Sequence, residues 1–364
     1  MFDWIPQESY TPIYYYVMLV VIVFTFQKLR VSDPESTERL EYGKSMGIFV
    51  LVFLILYMGL RPISGYFADM AAYASYFQMY QGGEAILFSR DLFFEYFMQA
   101  CAQIMNVNIF FLVCSFLYIY PLYLVCKKWF SDSWFLAFLL LIVSFSFWSY
   151  GTNGIRNGIA TSLFLYGISR EKRFYQIIWL VMAVNFHSSM LLPAFGFILV
   201  QFYNNSKTYL AFWLLCIPLS LAAGGFWESL FASLGFQDER LSYLTDGNIN
   251  DDEFAYAGFR WDFLLYSATG VFAGWFYIVK RDFSDPIYFK LFNIYLLANG
   301  FWILVIRANF SNRFAYLSWF MLALVIVYPL LKKEILEEDQ NKKLGWILLA
   351  YFGFTFFMNV ILAK

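Results

Sequence analysis

The stretch Tyr175–Phe202, YQIIWLVMAVNFHSSMLLPAFGFILVQF, decides how this chain is read. It is long enough for one tilted transmembrane helix, yet His187-Ser188-Ser189 stands near its middle and Pro193 follows. Basic residues flank it on both sides, with Arg170, Lys172 and Arg173 before it and Lys207 after it. Short loops rich in Lys and Arg stay on the cytoplasmic side of a membrane. A single crossing would put these two groups on opposite sides. Two short helices that enter, meet at the His-Ser-Ser turn and return would keep both inside. Broken helices are tolerated at membrane depth only where they line protein or a watery cavity. A re-entrant hairpin is therefore expected here, with one long tilted span as the alternative.

The surroundings make the membrane unavoidable. The chain has 364 residues, of which 61% are hydrophobic, 23% aromatic and 14% charged. A soluble protein of this size could not hide that much apolar surface. Apolar spans are expected at Ile13–Phe26, Met46–Leu60, Ile109–Val125, Trp134–Trp148, Gly154–Ser169, Tyr175–Phe202, Thr208–Gly225, Trp261–Val279, Tyr288–Ile306, Arg313–Leu331 and Leu344–Leu362. Basic clusters separate them: Lys28/Arg30/Arg39/Lys44, Lys127/Lys128, Arg170/Lys172/Arg173, Lys207, Lys280/Arg281 and Lys332/Lys333/Lys342/Lys343. Placing each cluster inside fixes the N-terminus outside. The fold class expected is an all-α integral membrane protein with roughly eleven membrane segments, forming one polytopic domain over residues 1–364. Two external regions complete it: amphipathic helices over about 66–104 and an acidic loop over about 227–260.

Other classes are disfavoured. A net charge of −1 implies no nucleic-acid partner. The N-terminus, Met1-Phe2-Asp3-Trp4, lacks the basic start of a cleavable signal. Cys101, Cys114, Cys126 and Cys216 have neither disulfide nor zinc spacing and read as packing residues. Asp246-Gly247-Asn248-Ile249-Asn250 opens like a calcium loop, but Asp251 stands where glycine is needed and Ala257 where glutamate is needed. It reads as a solvated acidic loop. P-loop, dinucleotide, HExxH and Ser-elbow motifs are all missing, so no cofactor is expected.

The cations divide by type. Every interior Lys falls in an inner loop, except Lys290 at the inner end of the Tyr288–Ile306 span, whereas the outer loops carry Arg61, Arg90, Arg156, Arg240, Arg260, Arg307 and Arg313. Charge-based topology does not prefer Arg over Lys. The planar guanidinium fork does differ, gripping phosphate or carboxylate at two points. An anion-binding outer face follows. Arg156 and Arg313 are placed at or near the first turns of helices that start outside, after Thr152/Asn153 and Ser311/Asn312 as candidate caps. A cation there is disfavoured by the helix dipole unless an anion joins it, or unless it snorkels or pairs with a carboxylate such as Asp69 or Glu95. Arg61 and Arg307 lie at outer helix ends that welcome a cation, so each is either a ligand or an anchor. His187, the single histidine, is a candidate general base, or else a satisfied structural group. Asp69, Tyr73, Tyr76 and Tyr80 fall on one face of a surface helix, suited to stacking on a sugar and removing a hydroxyl proton. A polar stripe of Asp91, Glu95 and Gln99 follows on the next helix.

Together these positions resemble the EpsG family of Wzy-like exopolysaccharide and O-antigen polymerases. The residues that carry the likeness are Gly59-Leu60-Arg61, Gly65, Asp69, Tyr73 and Phe77; Glu95; Gly154-Ile155-Arg156-Asn157-Gly158-Ile159-Ala160; Phe186-His187-Ser188-Ser189; and Asn312-Arg313-Phe314-Ala315-Tyr316. Asn157 departs from the usual Gln. The resemblance implies an architecture similar to the membrane-embedded GT-C glycosyltransferases and a bacterial cytoplasmic-membrane location with the site facing outside. It implies an undecaprenyl-pyrophosphate-linked oligosaccharide as donor and acceptor, with membrane lipid, a chain-length regulator and a flippase as candidate partners. On that footing Arg156 and Arg313 would clamp pyrophosphate, assisted by Arg61, Arg307 and Arg260. His187 or Asp69 would take the acceptor proton, and Tyr73, Tyr76, Glu95, Asn157 and Tyr316 would hold sugar. A ligase of the same architecture and a lipid-linked oligosaccharide flippase are the rival expectations. The flippase would need a cationic path through the whole membrane, and the span interiors are apolar.

Overall fold

A computed structural model describes residues 4–31, 36–233, 258–308, 311–337 and 339–362. The acidic calcium-like segment at 246–257 lies outside the described residues. Among those described, the chain is built of helices with no strand. The α-helices are α1 (Tyr10–Val31), α2 (Thr37–Gly59), α3 (Asp69–Gln81), α4 (Leu92–Ile104), α5 (Val107–Phe130), α6 (Trp134–Ile142), α7 (Phe147–Thr152) and α8 (Ile155–Ile168). They continue as α9 (Arg173–Phe186), α10 (Leu191–Phe202), α11 (Ser206–Ser233), α12 (Trp261–Trp275), α13 (Pro286–Leu304), α14 (Ser311–Lys332) and α15 (Gln340–Phe356). Among the described residues, eight helical stretches are long and apolar enough to cross a membrane: Gln7–Val31, Thr37–Gly59, Val107–Ile142, Ser206–Phe231, Trp261–Lys280, Pro286–Leu304, Ser311–Lys332 and Gln340–Ile361. This is a multi-pass membrane protein.

Three expected spans are not single long helices: two are split and one is short. Trp134–Trp148 breaks after Ile142, where a turn carrying Ser144 and Ser146 separates α6 from α7. The ring of Tyr123 packs against both Trp134 and Phe138, so α6 folds back along α5. Gly154–Ser169 is the 14-residue α8. Tyr175–Phe202 is two helices, α9 and α10, separated by an extended His187 and a 3-10 turn at Ser188–Met190. At 1.5 Å per residue they run about 21 Å and about 18 Å, short of a hydrocarbon core of about 30 Å. The break falls where the His-Ser-Ser turn was read.

The chain forms two compact units. One comprises Met1–His187 with Leu330–Lys364, the other Ser188–Pro329. In the first, α2, α5, α8 and α9 pack in succession and α15 lies along α1. Gly59 allows the close approach of α2 to α5, since a Cβ there would sit 2.8 Å from the Leu112 backbone. Small residues at helix contacts are how membrane bundles gain packing without a hydrophobic drive between helices. Its Lys-bearing loops are stitched by the pairs Lys28–Glu38, Lys128–Glu171 and Lys342–Asp339.

The second unit is pinned by a buried polar knot. Asn299 on α13 accepts from Trp213 Nε1 at 2.7 Å and donates to Ser267 Oγ at 3.0 Å and Ser318 Oγ at 2.9 Å. Trp319 Nε1 donates to the same Ser267 hydroxyl at 2.7 Å. One amide thus ties α11, α12 and α14 to α13, with the polar atoms partnered as an apolar interior requires. All four cysteines are buried and unbridged, as their packing role demands.

Candidate functional site

In the first unit the short helices α3 and α4 meet the start of α8 and the end of α9. Gln103 Nε2 donates to the Tyr80 carbonyl at 2.8 Å, locking α4 to α3. Phe186, the last residue of α9, packs on Phe93, Phe94 and Phe97 of α4. That anchor brings His187, the next residue, to the same end of the unit. His187 is 6% exposed and caps α9 with its backbone N–H on the Ala183 carbonyl.

Arg156 is the second residue of α8 and the centre of this group. Its Nε donates to the Tyr73 hydroxyl at 2.9 Å, and one terminal nitrogen donates to Asp91 Oδ2 at 3.0 Å. These bonds use two of the five guanidinium donors. The guanidinium also lies 5.7 Å from the Tyr73 ring centre. Its side chain is 14% exposed and that of Asp91 6%, so water screens the pair weakly. Asp91 precedes α4 with φ +50°, a left-handed conformation that Asp tolerates better than most residues. Gly158 sets the depth of this turn: a Cβ there would stand 2.8 Å from the Tyr150 carbonyl oxygen.

A second acid lies behind the first. Glu95 is 2% exposed and accepts from the Tyr80 hydroxyl, which in turn accepts from the Leu87 N–H at 3.0 Å. Burial pushes the Glu95 carboxyl above its usual value of 4.5, while the Tyr80 bond and the Arg156 charge pull the other way. Burial and the Glu95 contact raise the Tyr80 phenol to about 12. The sequence reading gave Glu95 the task of orienting sugar; in this structure it is internal, part of the wall behind Arg156.

Several expectations change in detail. The polar stripe of α4 faces inward and its apolar side, Leu92, Phe93 and Tyr96, faces out. The expected tyrosine face of α3 is divided: Tyr73 and Tyr80 are buried with their hydroxyls in use, Tyr76 is half-buried against Phe88, and Asp69 is exposed. Thr152 and Asn153 do not cap α8. The Thr152 hydroxyl donates to the Trp148 carbonyl, and Asn153 Oδ1 accepts the Asp69 N–H at 3.4 Å, serving α3 instead. Gly154 occupies the cap of α8 without a side-chain bond. Asn157 follows Arg156 in the first turn of α8. Arg61 is a buried tie between elements. It is 2% exposed and donates to the carbonyls of Met58 and of Thr152, joining the end of α2 to the residue that closes α7.

The second unit holds the other arginines. Arg313 is the third residue of α14, and Asn312 donates to the Tyr316 hydroxyl at 3.3 Å. Ser311, the expected cap, accepts from Trp302 Nε1 at 2.8 Å. Arg260 is engaged at both ends of its fork by Asp262, at 2.9 and 2.6 Å. Arg307 is exposed, 5.9 Å from the Phe259 ring, and its charge acts on half-buried Glu228. Sequence reasoning missed Asp91 as a site residue, and it gave Tyr80 to the sugar-stacking face rather than to Glu95. Asp91 stood in the stripe, but only its backbone conformation turns it toward α8.

No group of three metal-binding side chains occurs among the described residues. The model for the EpsG family matches residues 45–364, nearly the whole chain. The chain belongs to the EpsG family. The match covers α3, α4, α8 and α9, so the Arg156 cluster is built entirely from segments inside it. No curated protein and no solved structure matches the chain.

Proposed function

We propose that this EpsG-family protein is a Wzy-like polysaccharide polymerase of the bacterial cytoplasmic membrane. It transfers a growing glycan from undecaprenyl pyrophosphate to a hydroxyl of the next lipid-linked repeat, on the outer face. The carrying observation is Arg156: a partly reachable guanidinium in the first turn of α8, oriented by Tyr73 and balanced by Asp91. In the reaction, an acceptor hydroxyl oxygen attacks the anomeric carbon and the bond from that carbon to the pyrophosphate oxygen breaks. The bonding electrons leave with the diphosphate, and a preorganised fork aimed at that developing charge lowers the barrier. Before substrate arrives, Asp91 balances Arg156. The diphosphate then competes for the same donors.

The acceptor proton goes to His187 or Asp69, the two candidate bases. His187 sits beside the aromatic anchor on α4, and Asp69 is solvent-exposed at the start of α3. Glu95 and Tyr80 hold α4 against α3 and thereby position Asp91. Tyr76, Asn157 and Tyr316 are proposed sugar contacts. Arg313 is proposed as a further phosphate ligand, because it too stands in the first turn of a helix. Arg307 and Arg260 are assigned weaker support, Arg260 because Asp262 already holds its fork. The short helices α9 and α10 are proposed to form the re-entrant hairpin of a GT-C-like membrane domain, the flippase and chain-length regulator being its partners.

Purified protein in detergent, supplied with lipid-linked repeats, tests the reading. A ladder of products is expected. A single transfer would assign the chain to the ligases, and no product would leave transport as the activity.

A further inference from the structure

A second charged region lies in the first unit, among the Lys-bearing loops and apart from the Arg156 cluster in sequence and elements. A cavity of about 660 Å³ opens where the ends of α1 and α14 meet the starts of α2 and α15. Arg30, Arg39, Lys332, Lys333 and Lys342 line it. Two carboxylates also line it, Glu334 and Asp339, and Asp339 is engaged by Lys342 at 2.6 Å. Cations therefore outnumber acids five to two.

The cationic wall is built rather than incidental. The segment that presents Lys332 and Lys333 is fastened by one side chain, Gln340. Its oxygen accepts from the N–H groups of Ile335 and Leu336 at 2.6 and 2.8 Å, and its nitrogen donates to the carbonyls of Leu330 and Lys333 at 2.8 and 3.0 Å. Lys343 Nζ adds a bond to the Leu336 carbonyl at 2.7 Å. Four bonds from one amide hold like charges together in a short turn, which costs free energy unless an anion offsets the repulsion.

The neighbouring surface tells which anion. Trp346, one turn beyond Lys342 on α15, is 60% exposed and packs edge-on against Phe26 of α1. Arg30, which lines the cavity, lies over the Phe26 ring. A basic cavity bordered by aromatics matches a membrane interface, where headgroup and acyl chain are met side by side. The cavity volume suits a glycerophosphate-sized group.

We propose that this cavity binds the headgroup of an anionic phospholipid of the cytoplasmic leaflet, its acyl chains lying along Phe26 and Trp346. The site is separate from the proposed glycan-transfer chemistry and stands whether or not that reading holds.

The full-length protein in phosphatidylcholine nanodiscs, titrated with phosphatidylglycerol, tests it by thermal unfolding and by lipid retained in native mass spectrometry. The wild type should gain Tm with phosphatidylglycerol and retain it. Each surface lysine is worth about fivefold in affinity for anionic lipid, so Lys332→Gln/Lys333→Gln should bind about 30-fold more weakly. Arg30→Gln, on a different helix, should weaken binding in the same direction while keeping the Tm in pure phosphatidylcholine. Equal phosphatidylglycerol response in wild type and both variants would overturn the proposal. So would a Tm gain from inorganic phosphate alone as large as that from the lipid, which would assign the cavity to a soluble anion.

Discussion

Arg156 differs from Arg61 and Arg260 in the groups that touch its fork. Arg61 is 2% exposed and donates to two backbone carbonyls, Arg260 is held by a bidentate carboxylate, and Arg156, its side chain 14% exposed, is aimed by a phenol and paired with Asp91. If Tyr73 works by aiming the fork, Tyr73→Phe should lower kcat/KM for polymer formation about tenfold, the worth of one charge-assisted hydrogen bond. Combined with Arg156→Lys it should add little, because both changes remove the same geometry. Additive losses in this double-mutant cycle would separate the two residues. Glu95 gives a test with a pH signature. Its folded pKa is raised by burial, so the folded state favours the protonated acid. Stability is then undiminished below the ordinary carboxylate value and falls as pH rises from there through the folded pKa. In detergent melts between acid and neutral pH, Glu95→Gln should flatten that decline; an unchanged slope would show that another group causes it.

At the scale of elements, the sequence was most legible where chemistry interrupts an apolar run. The His-Ser-Ser turn marked the end of α9 and the start of α10, and the Arg156 motif marked the first turn of α8. It was least legible where apolar residues continue through a turn, as at Val143–Phe147, because hydropathy sums do not register which carbonyls lose their partners. Side-chain direction was also hidden. The tyrosines of α3 fall on one helical face, but only the docking of α4 decides that Tyr73 and Tyr80 are buried while Tyr76 is half-buried. Gly158 carries an element-scale prediction. Gly158→Ala places a methyl against the Tyr150 carbonyl and the Tyr118 ring, which must move α8 away from α7. A loss of about 1–3 kcal/mol from overpacking is expected, read as a lower Tm, with polymer formation falling alongside it. Activity retained at wild-type level with a lowered Tm would show that the depth of Arg156 is not critical.

For the whole molecule, the two units use polarity differently. The first concentrates charge at its ends, in the Arg156 cluster and the Lys-bearing loops. The second hides an amide knot in its interior, built from Asn299, two serines and two tryptophans. Asn299→Ala removes three hydrogen bonds, and at about 0.6 kcal/mol per bond in a membrane bundle the loss is about 2 kcal/mol. It should lower Tm without altering the length pattern of the product; a changed ladder would place Asn299 in the chemistry. The membrane class was plain from composition, and the family from short motifs in order. The Asp91–Arg156 pair was not, since it joins residues far apart in sequence through one left-handed backbone angle.

The central claim is that a planar guanidinium at position 156, and not merely a positive charge, grips the diphosphate as it leaves. The most direct measurement compares purified wild type with Arg156→Lys in the lipid-linked repeat assay, with folding followed by size exclusion and Tm. The account predicts a folded Lys variant whose product ladder is reduced at least about 100-fold. A full-length ladder at wild-type rate from that variant would contradict it.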